Sequence, residues 1–214
     1  MRVALYFAGL ALVSAASAAS AATITNGGFE LGTDPGSFAT VGVGQTNITG
    51  WDVTSGSVDY IGTYWQGQGA GGGRSVDLSG NSIGTLSQTF ATVFGKLYDV
   101  TFWVSKNPDS GAPVRTGAVS AGNTLGGFSY STNNSRANML WEQQTFRFQA
   151  TSTSTTLSFS SDASGGCCYG PALDSVSIAA VPEPATWALF ILGFGAIGTA
   201  LRRKASRRVA LRFA

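Results

Sequence analysis

Five carboxylates in or beside short apolar runs, Glu30, Asp52, Asp59, Asp77 and Glu142, are the residues best suited by type to bond-breaking chemistry. Hydrolysis of a glycosidic bond needs two such groups, one acid and one nucleophile or base. Most of the five, however, sit where Asp commonly closes a turn or accepts from backbone amides. A hydrolase is therefore the lesser expectation, and the protein is expected not to be an enzyme. Histidine is absent from the chain, which removes Ser-His-Asp triads, Cys-His nucleophiles and His-ligated zinc together. The cysteines, Cys167 and Cys168, are adjacent. Neighbouring Cα atoms lie ~3.8 Å apart across a trans peptide, short of the usual disulfide span of ~4.4–6.8 Å. Free thiols, a vicinal bridge and pairing with another chain all stay open.

Aromatic residues offer a different chemistry. In SVDYIGTYWQGQGAGGG, Asp59, Tyr60, Tyr64 and Trp65 precede a run rich in glycine. Flat rings at the end of a strand suit stacking on the apolar C–H face of a sugar while Asp59 accepts from its hydroxyls. The competing reading has Trp65 plugging one end of the domain. Trp103 and Trp141 fall in or at the edge of strand patterns and are expected to be packing residues. The glycine run Gly67–Gly73 lacks the lysine of a phosphate-binding loop, so it is expected to be a connection between strands.

The elements that must position these groups are strands. In LYDVTFWVS, Tyr98, Val100, Phe102 and Val104 face one way and Asp99, Thr101, Trp103 and Ser105 the other. QTFRFQA, TTLSFSS and LDSVSIA alternate in the same manner, and further strands are predicted at Trp51–Thr54, Ser57–Ile61, Ser75–Leu78, Gly84–Phe90, Arg115–Ser120 and Leu125–Tyr130. No stretch of the body has a helical period. About ten short strands in one domain predict an all-β, two-sheet sandwich of jelly-roll type over residues 23–180. Between residues 23 and 181 there are ten acidic side chains and six basic ones. That balance argues against a nucleic-acid partner, which needs a basic face to neutralise phosphates.

Both ends of the chain look like address labels. Arg2, the apolar run Val3–Val13 and SAASAASAA predict a signal peptide over residues 1–22. At the other end, Ala185 to Leu201 is uncharged and is followed by Arg202, Arg203, Lys204, Arg207, Arg208 and Arg212. As a helix those residues 185–201 span roughly 25 Å, a little short of a ~30 Å hydrocarbon core. Basic residues bordering such a helix keep to the cytoplasmic side, which puts the body outside. Gly193-x-Gly195-x-x-Gly198 mimics a dinucleotide fingerprint, but it lies inside this apolar run with no strand before it.

Pro182-Glu183-Pro184, the helix headed by Trp187 and Ala188, Gly193-Phe194-Gly195 and the arginine cluster together resemble the PEP-CTERM sorting signal, over residues 181–208. The resemblance implies an exosortase as partner, transient parking in the inner membrane and a final place at the cell surface or outside it. The body carries a second resemblance. NGGFE at Asn26–Glu30, ITGWDV, SGSVDYIGTYW, RSVDLSG, LSQTF and GPALDSVSI occur in the order of the extracellular choice-of-anchor C domain. That domain is related to plant cell-wall proteins with galactose-binding-like sandwiches. The likeness implies a binding or matrix module, with an extracellular polysaccharide as the expected partner and a structural surface or biofilm role as the alternative. It also implies a structural calcium where the first and last strands meet, at Glu30 and Asp174; Cys167-Cys168 and Ser175 depart from the family pattern there.

Overall fold

The computed structural model describes residues 22–68, 73–162, 167–182 and 184–209. Residues 1–21 of the predicted signal peptide, Glu183 of the sorting motif and the end of the basic tail (210–214) lie outside them. Eleven strands form the body: β1 (Phe38–Gly42), β2 (Asp52–Ser55), β3 (Ser57–Ile61), β4 (Ser75–Asp77), β5 (Thr85–Ala91) and β6 (Leu97–Lys106). They continue with β7 (Arg115–Ala121), β8 (Thr124–Tyr130), β9 (Glu142–Gln149), β10 (Ser154–Ser161) and β11 (Pro171–Ala180). All pairings are antiparallel, in one sheet ordered β1-β3-β4-β11-β6-β9 and another ordered β2-β5-β10-β7-β8. The predicted strands are present within a residue or three at each end, and β1 is the addition.

Alternation decides which side chains meet between the sheets. Tyr98, Val100, Phe102 and Val104 of β6 point inward, as their spacing requires, and pack with Leu86, Leu157 and Phe159 of the opposite sheet. Phe102 is at the centre, edge-on to Phe159 at 4.9 Å and to Phe128 at 5.5 Å. Edge-to-face pairs of this kind add about 0.5–1.5 kcal/mol to the area term. In β11 the alternation breaks: Leu173 and Val176 both enter the core although they are three residues apart. The register shifts between Asp174 and Ser177, with Ser175 at a φ of 49°. Asp174 faces outward by ordinary alternation after Leu173, and the bulge that follows brings Val176 back to the core.

That outer face carries a second, smaller core of Ile61, Trp65, Met139 and Ala172, with Tyr64 and Trp141 packed against it. The loops at 62–68 and 132–141 cover it; Gln66 N–H donates to the Arg136 carbonyl at 2.9 Å and Trp141 Nε1 donates to the Gln66 carbonyl at 3.1 Å. Trp103 is partly buried, on the outward side of β6 and outside the inter-sheet core.

Beyond the body, helix α1 (Pro184–Val209) includes the predicted 185–201 and continues through the basic residues. Leu189, Ile191, Leu192 and Phe194 on it are all exposed. Among the described residues no helix is long and apolar enough to cross a membrane.

Candidate functional site

Period-two alternation along β3 splits the four predicted sugar-contact residues. Val58 and Tyr60 enter the inter-sheet core, whereas Asp59 and Ile61 face outward. Tyr60 is fully enclosed; its hydroxyl donates to the Phe29 carbonyl at 2.6 Å and accepts from Arg74 Nη1 at 2.9 Å. Its ring is therefore a core group. Trp65 is only 5 % exposed, and its Nε1 donates to Ser75 Oγ at 2.8 Å. The indole is a plug under the loops, not an open platform, which corrects the stacking role expected for it.

Tyr64 is partly open but already engaged. Its hydroxyl donates to Asp109 Oδ2 at 2.8 Å and accepts from Arg136 Nη2 at 2.6 Å. The Arg136 guanidinium lies 4.2 Å from the centre of its ring, and the same guanidinium makes a bidentate pair with Asp109. One face of Tyr64 is thus covered by a cation.

These residues border a cleft of about 230 Å³ on the outer face of the six-stranded sheet. Phe38 and Tyr169 stand on its walls, Asp59 and Thr40 on its floor, with Tyr64 and Asn107 beside them. Phe38 is 46 % exposed and Tyr169 43 % exposed. Cys168, in a vicinal disulfide with Cys167, also lines it. Pockets for drug-sized ligands run ~300–1,000 Å³, so this one has room for about one sugar ring. A second hollow of about 450 Å³ lies by Thr46, Asp52 and Gln88. There Trp51 is buried and the Gln88 amide is tied to the backbone of Thr25 and Gly50, so no open aromatic face is offered.

Sequence reasoning missed Phe38 and Tyr169. Each is a lone aromatic beside a turn, and both line one cleft only because β1 pairs with β3 and β4 pairs with β11. The one local signal is Tyr169-Gly170 directly after the cysteine pair. Gly170 is required: a Cβ there would lie 2.4 Å from Asp77 Oδ1, where its own N–H now donates.

Beneath the floor is a sealed carboxylate. Asp59 and Asp77 are directly opposite in the β3–β4 pairing. Asp59 Oδ1 accepts from Thr40 Oγ1 at 2.6 Å. Asp77 accepts from Ser79 N, Gly170 N and Asn107 Nδ2, each at 2.8 Å. Burial pushes Asp77 up to about 7, with the three N–H donors pulling against it and Asp59 adding repulsion. Burial also raises Asp59, opposed by the Thr40 hydroxyl. Asp77 is completely enclosed, so the pair cannot work as the acid and base of a hydrolase. Glu30, Asp52 and Glu142 sit on other elements: Glu30 before β1, Asp52 on β2 and Glu142 on β9.

At the corner expected to hold calcium, Glu30 and Asp174 pin the two ends of the glycine-rich loop. Glu30 Oε1 accepts from Arg74 N at 2.8 Å, and Asp174 Oδ2 accepts from Gln68 N at 2.9 Å. Ser175 Oγ donates to Gln68 Oε1 at 2.6 Å. Arg74 Nη1 takes the Glu30 and Gly32 carbonyls at 3.1 and 3.2 Å, oxygens that a calcium shell of six to eight would need. Among the described residues no group of three or more Asp, Glu, His or Cys is placed to hold a metal. These donors do not fit a resident calcium. The melting temperature is accordingly expected to be the same in chelator and in millimolar calcium; a rise of several degrees with calcium would show an ion bound to the folded state.

Known proteins place the chain in a family. Residues 180–204 match the PEP-CTERM protein-sorting motif. Halomucin of Haloquadratum walsbyi is 33 % identical over 181 residues, covering 82 % of this chain, which spans only 2 % of halomucin's length. An arabinose-bound GH51 α-L-arabinofuranosidase shares the fold at a TM-score of 0.50 and 13 % identity, over 75 % of this chain and 26 % of that one. TmCBM61, solved with β-1,4-galactotriose, aligns at a TM-score of 0.43 and 15 % identity, over 73 % of this chain and 96 % of that one. Residues 22–179 match the family described as "Protein of unknown function (DUF642)", and the chain belongs to it.

Proposed function

We propose that this is an exported, non-catalytic surface or extracellular-matrix protein whose sandwich, of choice-of-anchor C type, binds carbohydrate in the cleft between Phe38 and Tyr169. The observation that carries the reading is the cleft's make-up: two half-exposed aromatic faces over a floor with a carboxylate acceptor. A pyranose presents apolar C–H groups on its faces and hydroxyls on its rim, so rings bury the one while Asp59 accepts from the other. Export is supported by the sorting motif and by the signal-peptide pattern at residues 1–22. In this reading an exosortase acts at Pro182-Glu183-Pro184 while the apolar part of α1 and the arginines after it hold the chain in the inner membrane.

The test is retention of the purified protein on immobilised neutral polysaccharides and on exopolysaccharide of the producing cells. Tyr169→Ala and Phe38→Ala are each expected to weaken retention about fivefold or more while moving the melting temperature by only a few degrees, since both rings are half in solvent. Binding is expected to change little with salt, because no ion pair is made. Retention unaltered by both substitutions, or absent on every polymer with the fold intact, would leave a structural surface role instead.

A further inference from the structure

The charges around the cleft are all of one kind or already spent. Asp59 lines it and Asp77 is its directly opposed neighbour on the next strand. No residue lining the cleft is cationic. The nearest guanidinium, Arg136, is held by both oxygens of Asp109 and by the Tyr64 hydroxyl. Lys106, from the adjoining end of β6, gives its ammonium to the Ala112 and Pro113 carbonyls at 3.2 and 3.4 Å.

Two of the neutral side chains are committed as well, Asn107 and Thr40, while the Asn81 amide and the Tyr169 hydroxyl stand at the rim. Asn107 donates to Asp77 Oδ2 at 2.8 Å while its own Oδ1 accepts from Asp109 N at 2.9 Å. Thr40 donates to Asp59. What the floor still offers is acceptor capacity: an ionised carboxylate has about four lone-pair sites, and one is used by Thr40. Sugar hydroxyls are donors and fit those sites. A sugar carboxylate or sulfate is an acceptor with a negative charge, and among the described lining residues it would meet the Asp59 carboxylate and no counter-charge. In a recess walled by protein, water screens that repulsion less than on open surface.

We infer that the cleft admits uncharged sugar units and turns away uronates and other acidic glycans, with Asp59, backed by Asp77, as the specificity-determining pair. The inference rests on the carbohydrate-binding reading above and adds the class of glycan to it. Asp77 never touches the ligand: sealed behind Asp59, it adds its charge to the local potential above about pH 7. The arrangement also explains a fully buried carboxyl with three N–H donors at a place where an apolar residue would pack at less cost.

The experiment compares matched polymers: β-1,4-galactan and β-1,3-glucan, each untreated and each with its C6 hydroxyls oxidised to carboxylates, presented to the full-length chain at pH 8 and low salt. The untreated polymer is expected to be retained roughly five- to tenfold more strongly than its oxidised partner. Asp59→Asn is expected to weaken binding of the untreated polymer and to close most of that gap, because the amide keeps the shape and loses the charge. Should Asn not fold there, Asp59→Thr, suited to a strand, takes its place. Equal retention of both forms by the unaltered protein, or a preference for the oxidised one, overturns the inference. So does a gap that is unchanged in the Asp59 variant. In these outcomes Tyr169→Ala still weakens retention, and the carbohydrate-binding reading survives. If neither form of either polymer is retained, that reading fails and the inference falls with it.

Discussion

Replacing Trp65 with alanine is expected to lower the melting temperature by about 10 °C or more, and not merely to weaken a ligand contact. The indole sits among Ile61, Met139 and Ala172 on the outer face of the six-stranded sheet, as the largest of the four buried side chains of that cluster. Truncating a buried Trp costs about 3–5 kcal/mol through lost transfer energy and the cavity left behind. For a domain of this size each kcal/mol moves the midpoint by ~2–4 °C. The loss also strands Ser75 Oγ, which is buried and accepts from the indole N–H. Collapse is poorly available, because the cluster has a sheet on one side and tethered loops on the other. Trp103→Ala is expected to cost less, since its ring is only partly buried and lies outside both cores. A thermal melt of the two variants decides the order. If Trp65→Ala melts within about 3 °C of the parent and Trp103→Ala far below it, the second core is not structural.

The pH dependence should run against the usual direction of acid denaturation. Asp77 and Asp174 are both pushed up to about 7 by burial; for Asp174 the Gln68 and Ser175 amides pull against it and Glu30 adds repulsion. Unfolded, each returns to the ordinary aspartate value near ~3.9. Between those values the folded chain binds more protons than the unfolded chain, so unfolding free energy falls as pH rises. Stability is therefore gained on going from pH 8 to about pH 5 and levels off near pH 4, where both states are protonated. The two groups together are worth a few kcal/mol over that range, or about 5–10 °C in melting temperature. Asp99 opposes this only at the acid end, because its bonds to Arg147 hold it below the usual carboxylate range. Asp77→Asn is expected to remove about half the slope, whatever it does to stability at any single pH. A melting temperature that is flat, or that climbs, from pH 5 to pH 8 would mean that the amide donors keep both carboxyls ionised despite their burial.

Much of the frame was legible because strand geometry is local. Alternation in LYDVTFWVS marked Tyr98, Val100, Phe102 and Val104 as core, and the structure places them there. The C-terminal sorting motif was legible too, since it is a linear string, and residues 180–204 match it. Strand β1 escaped notice because FATVG has one inward apolar residue, Val41, and is defined by pairing with β3. The bulge in β11 was equally hidden, because Ser175 shows nothing in the chain that announces a positive φ.

The sequence by itself determined an all-β body, the alternation of its strands, a chemistry without histidine, and the C-terminal sorting motif, all of which depend on neighbours within a few residues. Tertiary structure alone decided which aromatics see solvent. Asp59 and Tyr60 are adjacent in the chain, yet one faces the cleft and the other is sealed between the sheets, because successive strand side chains point to opposite faces. Both outer faces of a sandwich look polar from the chain; that this one is roofed by the loops at 62–68 and 132–141 follows from contacts some seventy residues apart, such as Gln66 with Arg136 and Trp141. That roof buried Trp65, and pairing of β1 with β3 and of β4 with β11 put Phe38, Tyr169 and Asp59 in the lining of one cleft. Local periodicity sets which way a side chain points; only long-range pairing sets what it then meets.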